Sequence, residues 1–180
     1  MSSKTLFLTT IAVLTLGWVT SSMAGENSVL EAISAVPEEY ADTIVKISGN
    51  NCNPDPSEWI ILAYQDEIGD GPREFKIVDG QVDQNHATFK VGQLVSHSTA
   101  IDRSRVNFDS SEVFELAQQT FQGAGKNIAS VNLTLTQDGD GAAPTWTVTG
   151  IDDSGANLGS MRVSADSGAV FSREIKSGTP

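Results

Sequence analysis

The chain has 180 residues, of which 23 are acidic and 11 are basic, so its formal net charge at pH 7 is −12. Binding of nucleic acid or of an anionic membrane needs clustered lysine and arginine, so this composition argues against both kinds of partner. A single cysteine, Cys52, excludes an intramolecular disulfide, and stability must therefore come from burial of apolar side chains.

The N-terminus has the pattern of a secretory signal peptide over residues 1–24. Lys4 precedes a largely apolar stretch at residues 6–19, and Ser22-Met-Ala24 supplies the small residues of a cleavage site. A retained membrane anchor is the alternative, but the apolar stretch is shorter than the ~20 residues that a spanning helix needs. We therefore expect an exported protein, periplasmic or extracellular, with no membrane contact after cleavage.

Residues 25–84 predict a helix and then strands, and Pro37 either ends the helix or starts a second helical turn through Tyr40. Ser28 and Glu31 have the spacing of a capping box, and Val29, Ala32 and Ile33 would share one face of the helix. The elements predicted next are a strand at 43–47, a loop at 50–56, a strand at 59–64, a turn region at 67–73, a strand at 75–78 and a turn at 79–80. Residues 85–107 are interpreted as a connector, because their pattern suits a strand and a short helix equally.

The clearest helical pattern begins at Asp109, which forms a second capping box with Glu112. Apolar residues then recur at helical spacing up to Phe121, and Gly123 and Gly125 predict the end of the helix. Strands are predicted at 131–135, 145–149 and 161–165, because apolar and polar residues alternate there. Polar loops at 138–144 and 152–155 and a tight turn at 166–168 separate these strands and lead into Val170.

The order of elements in the two halves is the same, which predicts an internal repeat. Trp59 and Trp146 lie 87 residues apart, and Val82 and Val170 lie 88 residues apart. An apolar sheet face must be covered, and one capped helix laid across three or four antiparallel strands would cover it. The predicted fold class is therefore α+β, with two tandem helix-on-antiparallel-sheet units.

Residues 108–175 resemble a PepSY-type domain. The resemblance rests on the capped helix, the strand at 131–135, Trp146-Thr-Val-Thr149, Asp152-Asp-Ser-Gly155 and Val163-Ser-Ala-Asp-Ser-Gly-Ala-Val170. That family closes with Val-Asp-Ala-x-Thr-Gly-x-Val, from which Ser164 and Ser167 depart. Residues 25–84 resemble the family weakly, and residues 176–180 form a tail. The resemblance implies a cystatin-like fold, an extracytoplasmic location and a non-enzymatic role, such as restraint of peptidases or ligand binding.

Residues with catalytic or metal-binding chemistry are few. His86 and His97 lack the spacing of metal ligands, and Cys52 adds too little sulfur for a zinc site. The segment Asp138-Gly-Asp-Gly141 starts like a calcium loop, but Ala142-Ala-Pro144 breaks the EF-hand template, so we interpret it as an acidic turn and leave weak calcium binding open. We predict no catalytic residue, no cofactor and no metal.

Three functions are compatible with this pattern. The first is an exported binding protein that presents a sheet edge or hairpin to a peptidase or another envelope protein, as a peptidase inhibitor or regulator. The second is a periplasmic small-ligand carrier with a pocket lined by Phe114, Phe121 and Trp146. The third is a secreted hydrolase that uses Cys52 or the acidic loops. Trp59 and Trp146 are expected to be core residues, although exposed tryptophans would suit recognition of a peptide or sugar.

Overall fold

The computed structural model describes residues 27–64, 72–88 and 99–177. The predicted signal peptide, most of the predicted turn region at 67–73, residues 89–98 of the predicted connector and the last three residues lie outside these ranges. Within the described ranges, no helix combines the length and the apolar character needed to cross a membrane.

The described chain consists of three helices and eight strands. The helices are α1 (Val29–Ala35), α2 (Glu38–Ala41) and α3 (Ser110–Gly123), with a single 3₁₀ turn at Arg103–Arg105. The strands are β1 (Ile44–Cys52), β2 (Trp59–Ala63), β3 (Arg73–Val78), β4 (Gln81–Ala87), β5 (Ser130–Thr136), β6 (Thr145–Ile151), β7 (Asn157–Ser164) and β8 (Val170–Ile175).

All eight strands belong to one antiparallel sheet with the order β4-β3-β2-β1-β5-β6-β7-β8. The first strands of the two halves pair at its centre, where Ile47 lies opposite Leu135. The prediction of two separate helix-on-sheet units is therefore wrong, since the helices are few and short and the sheet is continuous. Period-two alternation identifies strands but not their partners, and pairing β1 with β5 removes two edges that separate sheets would leave open.

Both predicted capping boxes begin helices. The Ser28 hydroxyl accepts a hydrogen bond from the Glu31 amide (3.2 Å) at the start of α1. At the start of α3, the Asp109 amide donates to Glu112 Oε2 (2.9 Å), and the Asp109 carboxylate accepts from the backbone in return. These bonds satisfy amides that have no partner within the helix, so the chain enters each helix at a defined residue.

One face of the sheet is apolar and packs against the helices. Trp59 and Trp146 are fully buried there, with ring centroids 6.3 Å apart. The Trp59 indole N–H donates to the carbonyl of Asn27 (2.8 Å), and that of Trp146 donates to the carbonyl of Phe108 (3.0 Å). Each acceptor lies one residue before the N-cap of a helix. The prediction that both tryptophans are core residues is confirmed, and they lie where the two halves of the sheet meet.

The boundaries of the first half differ from the prediction in two places. β1 extends through residues 50–52, which the sequence predicted as loop from their asparagines. Asn51 has φ 54° where the register with β5 shifts between Gly49 and Cys52, so this asparagine belongs to an irregularity within a strand. The predicted boundary at residue 84 falls inside β4.

Candidate functional site

Cys52 lies at the end of β1 and has no exposed surface. Burial, with a smaller contribution from the negative charge of Asp55, raises the pKa of its thiol to about 12. A nucleophilic cysteine needs a lowered pKa and access to solvent, and Cys52 has neither. Cys52 is therefore a small buried side chain of the main core.

His86 lies on β4, with Nε2 at 3.5 Å from Glu74 Oε1 and about half of its side chain exposed. Three strand spacings separate His86 from Cys52, and the two residues lie near opposite ends of their strands. The distance between them is therefore on the order of 20 Å. His97 lies outside the described residues. Within the described part of the chain, no three side chains of histidine, cysteine, aspartate or glutamate are close enough together to hold a metal ion.

The acidic turn that follows β5 is engaged by two arginines. Asp138 Oδ2 pairs with Arg162 Nη2 at 2.6 Å, and the Gly141 carbonyl accepts from Arg105 Nη1 at 3.1 Å. Arg105 also binds Asp166 through two nitrogens at 2.8 and 3.0 Å. The oxygens that a cation would need are therefore partly used in holding this turn to its neighbours.

The residues predicted to line a small-ligand pocket belong to the closed core. Trp146 and Phe121 have no exposed surface, and Phe114 is 5 % exposed. The Phe121 ring packs onto Gly150, where an added Cβ would lie 2.7 Å from the ring. Close packing on this scale leaves no room for a ligand between these three side chains.

A buried polar cluster joins the starts of α1 and α3. Asp109 Oδ1 accepts from the amides of Ser110 (2.7 Å) and Val29 (3.0 Å), so one carboxylate binds the N-termini of both helices. The Ser110 hydroxyl donates to Asp55 Oδ1 at 2.5 Å. Burial, and less strongly the charge of Asp109, raise the pKa of Asp55, while the bond from Ser110 opposes this rise. This cluster fixes the two helices relative to each other and is largely closed to solvent.

The sheet face opposite the helices is polar, and we call it the polar face. Cross-strand pairs such as Thr134 with Thr147 and Thr136 with Thr145 follow each other along β5 and β6. Val45 and Leu62 form a small buried cluster separate from the main core. An antiparallel sheet commonly exposes one polar face to solvent, so the polar face itself indicates no ligand.

The two edge strands, β4 and β8, differ in what covers them. α1 lies against β2, β3 and β4, and the Glu31 side chain packs onto Gly80 at the β3–β4 turn. α3 instead lies against β6, two strands inside the other edge. A groove therefore remains between α3 and β8, whereas the cavity of about 330 Å³ beside β4 has no helix wall and is lined only by residues 78–83 of β3, β4 and their turn.

The groove beside β8 has a helix wall and a strand wall, and we call it the α3–β8 groove. A cavity of about 440 Å³ is lined by Gln119, Thr120, Gly123, Ala124, Arg173 and Ile175. A second cavity of about 310 Å³ continues it past Thr120 and Arg173 to Val170 and Phe171. Phe171 is 58 % exposed and Val170 is 42 % exposed, the two highest values among the large apolar side chains described.

The backbone of β8 is available for further pairing. The Lys176 amide donates to the Leu158 carbonyl (2.8 Å), so the backbone of Lys176 points towards β7. Backbone direction alternates along an antiparallel strand, so the amides and carbonyls of Arg173 and Ile175 point away from the sheet. Strand addition by another chain requires exposed backbone amides and carbonyls at a sheet edge, and those of β8 lie beside the exposed side chains of Val170 and Phe171.

Sequence reasoning pointed to a sheet edge or hairpin as a binding element but did not identify which one. Val170 and Phe171 follow a tight turn and read as the start of a return strand, which is what β8 is. The sequence held no sign that α3 would lie over β6 rather than over β8, because that depends on tertiary packing. Searches of protein-family models, of curated proteins and of solved structures find no match to this chain.

Proposed function

We propose that this chain is an exported, non-catalytic binding protein that holds another protein by adding one of its strands to the sheet. The observation that carries this proposal is the open β8 edge, with outward backbone groups at Arg173 and Ile175 and an exposed Phe171 beside the groove. The groove walls are backbone, small side chains and long polar side chains, which suits an extended peptide better than a compact ligand.

Export and the class of partner rest on the sequence. The pattern of residues 1–24 supports secretion, and the resemblance of residues 108–175 to PepSY-type domains supports a secreted peptidase as the partner. Restraint of a peptidase by strand addition requires no reactive group on this chain, which is consistent with the burial of Cys52. The strand contributed by the peptidase would lie along β8 as a ninth strand.

Affinity capture tests the proposal. The protein, immobilised through a tag, is exposed to the secreted and envelope fractions of its own source, and retained proteins are identified by mass spectrometry. We expect one or a few proteins, a peptidase among them, whose retention persists after metal chelation and thiol blocking. Retention of no protein above a control column, or turnover of a substrate by the purified protein alone, would refute the proposed function.

A further inference from the structure

We infer that the α3–β8 groove accepts an extended segment of a partner protein that carries an acidic residue opposite Arg173. This inference rests on the proposed function and adds the location of the site and the chemistry of its ligand. It places the site at β8 rather than at β4. It also predicts that the ligand is acidic, although this chain itself has a net charge of −12.

The distribution of basic residues carries the argument about charge. Four of the nine described basic side chains pair with described acidic neighbours: Lys76 with Glu58, Arg103 with Asp42, Arg105 with Asp166 and Arg162 with Asp138. Arg73 also has partners, among them Asn85. Within the described ranges, four basic residues form no ion pair, namely Lys46, Lys126, Arg173 and Lys176. Two of these four, Arg173 and Lys176, are in β8 or directly follow it, and Lys126 lies three residues after the end of α3.

These cations also differ in the side of the sheet on which their side chains lie. Arg173 lies opposite the buried Met161 and so projects on the helix side, into the groove. Lys126 follows the last turn of α3, where its amide donates to the Phe121 carbonyl (2.9 Å). Lys176 lies on the polar face next to Glu174, which offsets its charge. Arg173 is therefore the unpaired cation that lies in the groove, since Lys126 is not among the residues that line it.

The other end of the groove is apolar. Val170 and Phe171 line it together with Thr120, Ser172 and Arg173. Alternate residues of an added strand face the helix side, so the ligand would place an apolar side chain near Phe171 and an acidic one near Arg173. Complementary charge across an edge pairing selects partner and register more than it adds affinity.

The first probe is a phage-displayed library of random dodecapeptides, selected on the immobilised protein. We expect the enriched peptides to alternate apolar and polar residues and to contain an acidic residue about two positions from an apolar one. The most enriched peptide, labelled with fluorescein, is then titrated by fluorescence anisotropy. A version N-methylated at alternate residues should lose binding, because it cannot donate to the outward carbonyls of β8.

The matched variants are Arg173→Glu and Lys46→Glu. Both reverse the charge of an unpaired cation on a strand, but only Arg173 lies in the groove. We expect Arg173→Glu to weaken the peptide by about tenfold or more and Lys46→Glu to change affinity by less than about twofold. Peptide-induced amide shifts should cluster at residues 119–126 and 170–176 in two-dimensional NMR spectra, with circular dichroism confirming that each variant is folded.

Four results would overturn the inference: no enriched peptide, enrichment of basic peptides, equal weakening by both variants, or amide shifts centred on β4 or the polar face. A peptide-free dimer that Arg173→Glu dissociates would also overturn it, since the occupant would then be a second copy of this chain. If affinity capture yields a partner whose binding survives Arg173→Glu, the proposed function stands and this site is wrong. If neither capture nor library yields a ligand, both fail.

Discussion

Burial makes the thiol of Cys52 unreactive. A thiol with a pKa of about 12 and no exposed surface is almost fully protonated at pH 8 and is screened from reagents. We expect no reaction with an aromatic disulfide reagent at pH 8 in the native protein over a time in which the denatured protein reacts completely. The variant Cys52→Ala/Ser57→Cys, whose only thiol lies on the exposed residue 57, should react at once, and rapid labelling of native Cys52 would contradict its burial.

Asp55 and Asp152 should change stability with pH in opposite directions. Burial raises the folded-state pKa of Asp55 above 3.8, so stability is greatest below that pH and falls as pH rises through the raised pKa. We therefore expect Asp55→Asn to raise the melting temperature at pH 7 and to change it little near pH 3. Differential scanning calorimetry at both pH values measures this, and an Asp55→Asn variant that is destabilised at pH 7 would show that the carboxylate's bonds outweigh its burial.

Hydrogen bonds from Ser154 and Ala156 lower the folded-state pKa of Asp152 below 3.8. Its contribution to stability is present above pH 3.8 and is lost as pH falls through the lowered pKa. Asp152→Asn should therefore lower the melting temperature at pH 7 and leave it nearly unchanged at very low pH. The two aspartates serve as controls for each other, because the same substitution is expected to act with opposite signs at neutral pH.

At the scale of elements, the start of α3 also holds the start of α1 in place. Asp109 caps its own helix and also accepts from the Val29 amide at the start of α1. Loss of an N-cap costs about 1 kcal/mol, and the buried Val29 amide, left with only its long bond to the Ser110 hydroxyl (3.4 Å), adds up to a further ~1–3 kcal/mol. We expect Asp109→Ala to lower the unfolding free energy by about 2–4 kcal/mol and Asp109→Asn by clearly less, since Asn keeps an acceptor. Chemical denaturation measures both, and equal losses for the two variants would contradict the capping role.

Gly159 determines whether β8 can pair closely with β7. Its φ is +136°, and an added Cβ would lie 2.2 Å from the Glu174 carbonyl oxygen. We expect Gly159→Ala to displace β8 and to increase amide exchange over residues 170–175, with a loss of peptide binding. Gly139→Ala is the control, because Gly139 also has a positive φ (+114°) but no atom within 4 Å of the added Cβ. If amide exchange of β8 increased in both variants, its cause would be the strain of a positive φ at alanine and not the contact of the added Cβ with the Glu174 carbonyl oxygen.

Most elements were predictable from the sequence, while their arrangement was not. Capping residues and apolar periodicity predicted α1, α3 and β5 to within one or two residues, because these signals are local. The end of β1 was mistaken for loop because asparagines at a strand irregularity resemble turn residues. The candidate site depends on α3 lying over β6 and on β8 being an edge, and both are consequences of tertiary packing that no local pattern encodes.

At the scale of the whole molecule, the central pairing of β1 with β5 makes the two halves one structure. Ile47 and Leu135 are opposite each other in the ladder, and the two buried tryptophans are in contact across the same boundary. Each half therefore shares both hydrogen bonds and core with the other. Two tandem units, each with its own sheet as the sequence predicted, would share no strand pairing, and each could unfold without breaking the hydrogen bonds of the other sheet.

Leu133 provides the test of this coupling. It is 1 % exposed on β5, opposite Gly49 of the first half, and truncation of a buried leucine costs about 2–5 kcal/mol. We expect Leu133→Ala to give one calorimetric transition at a lower temperature and to increase amide exchange in β2 and β3 as much as in β6 and β7. The exposed Leu30→Ala on α1 should have little effect. Two transitions, or faster exchange confined to the second half, would show that the shared sheet does not couple the halves.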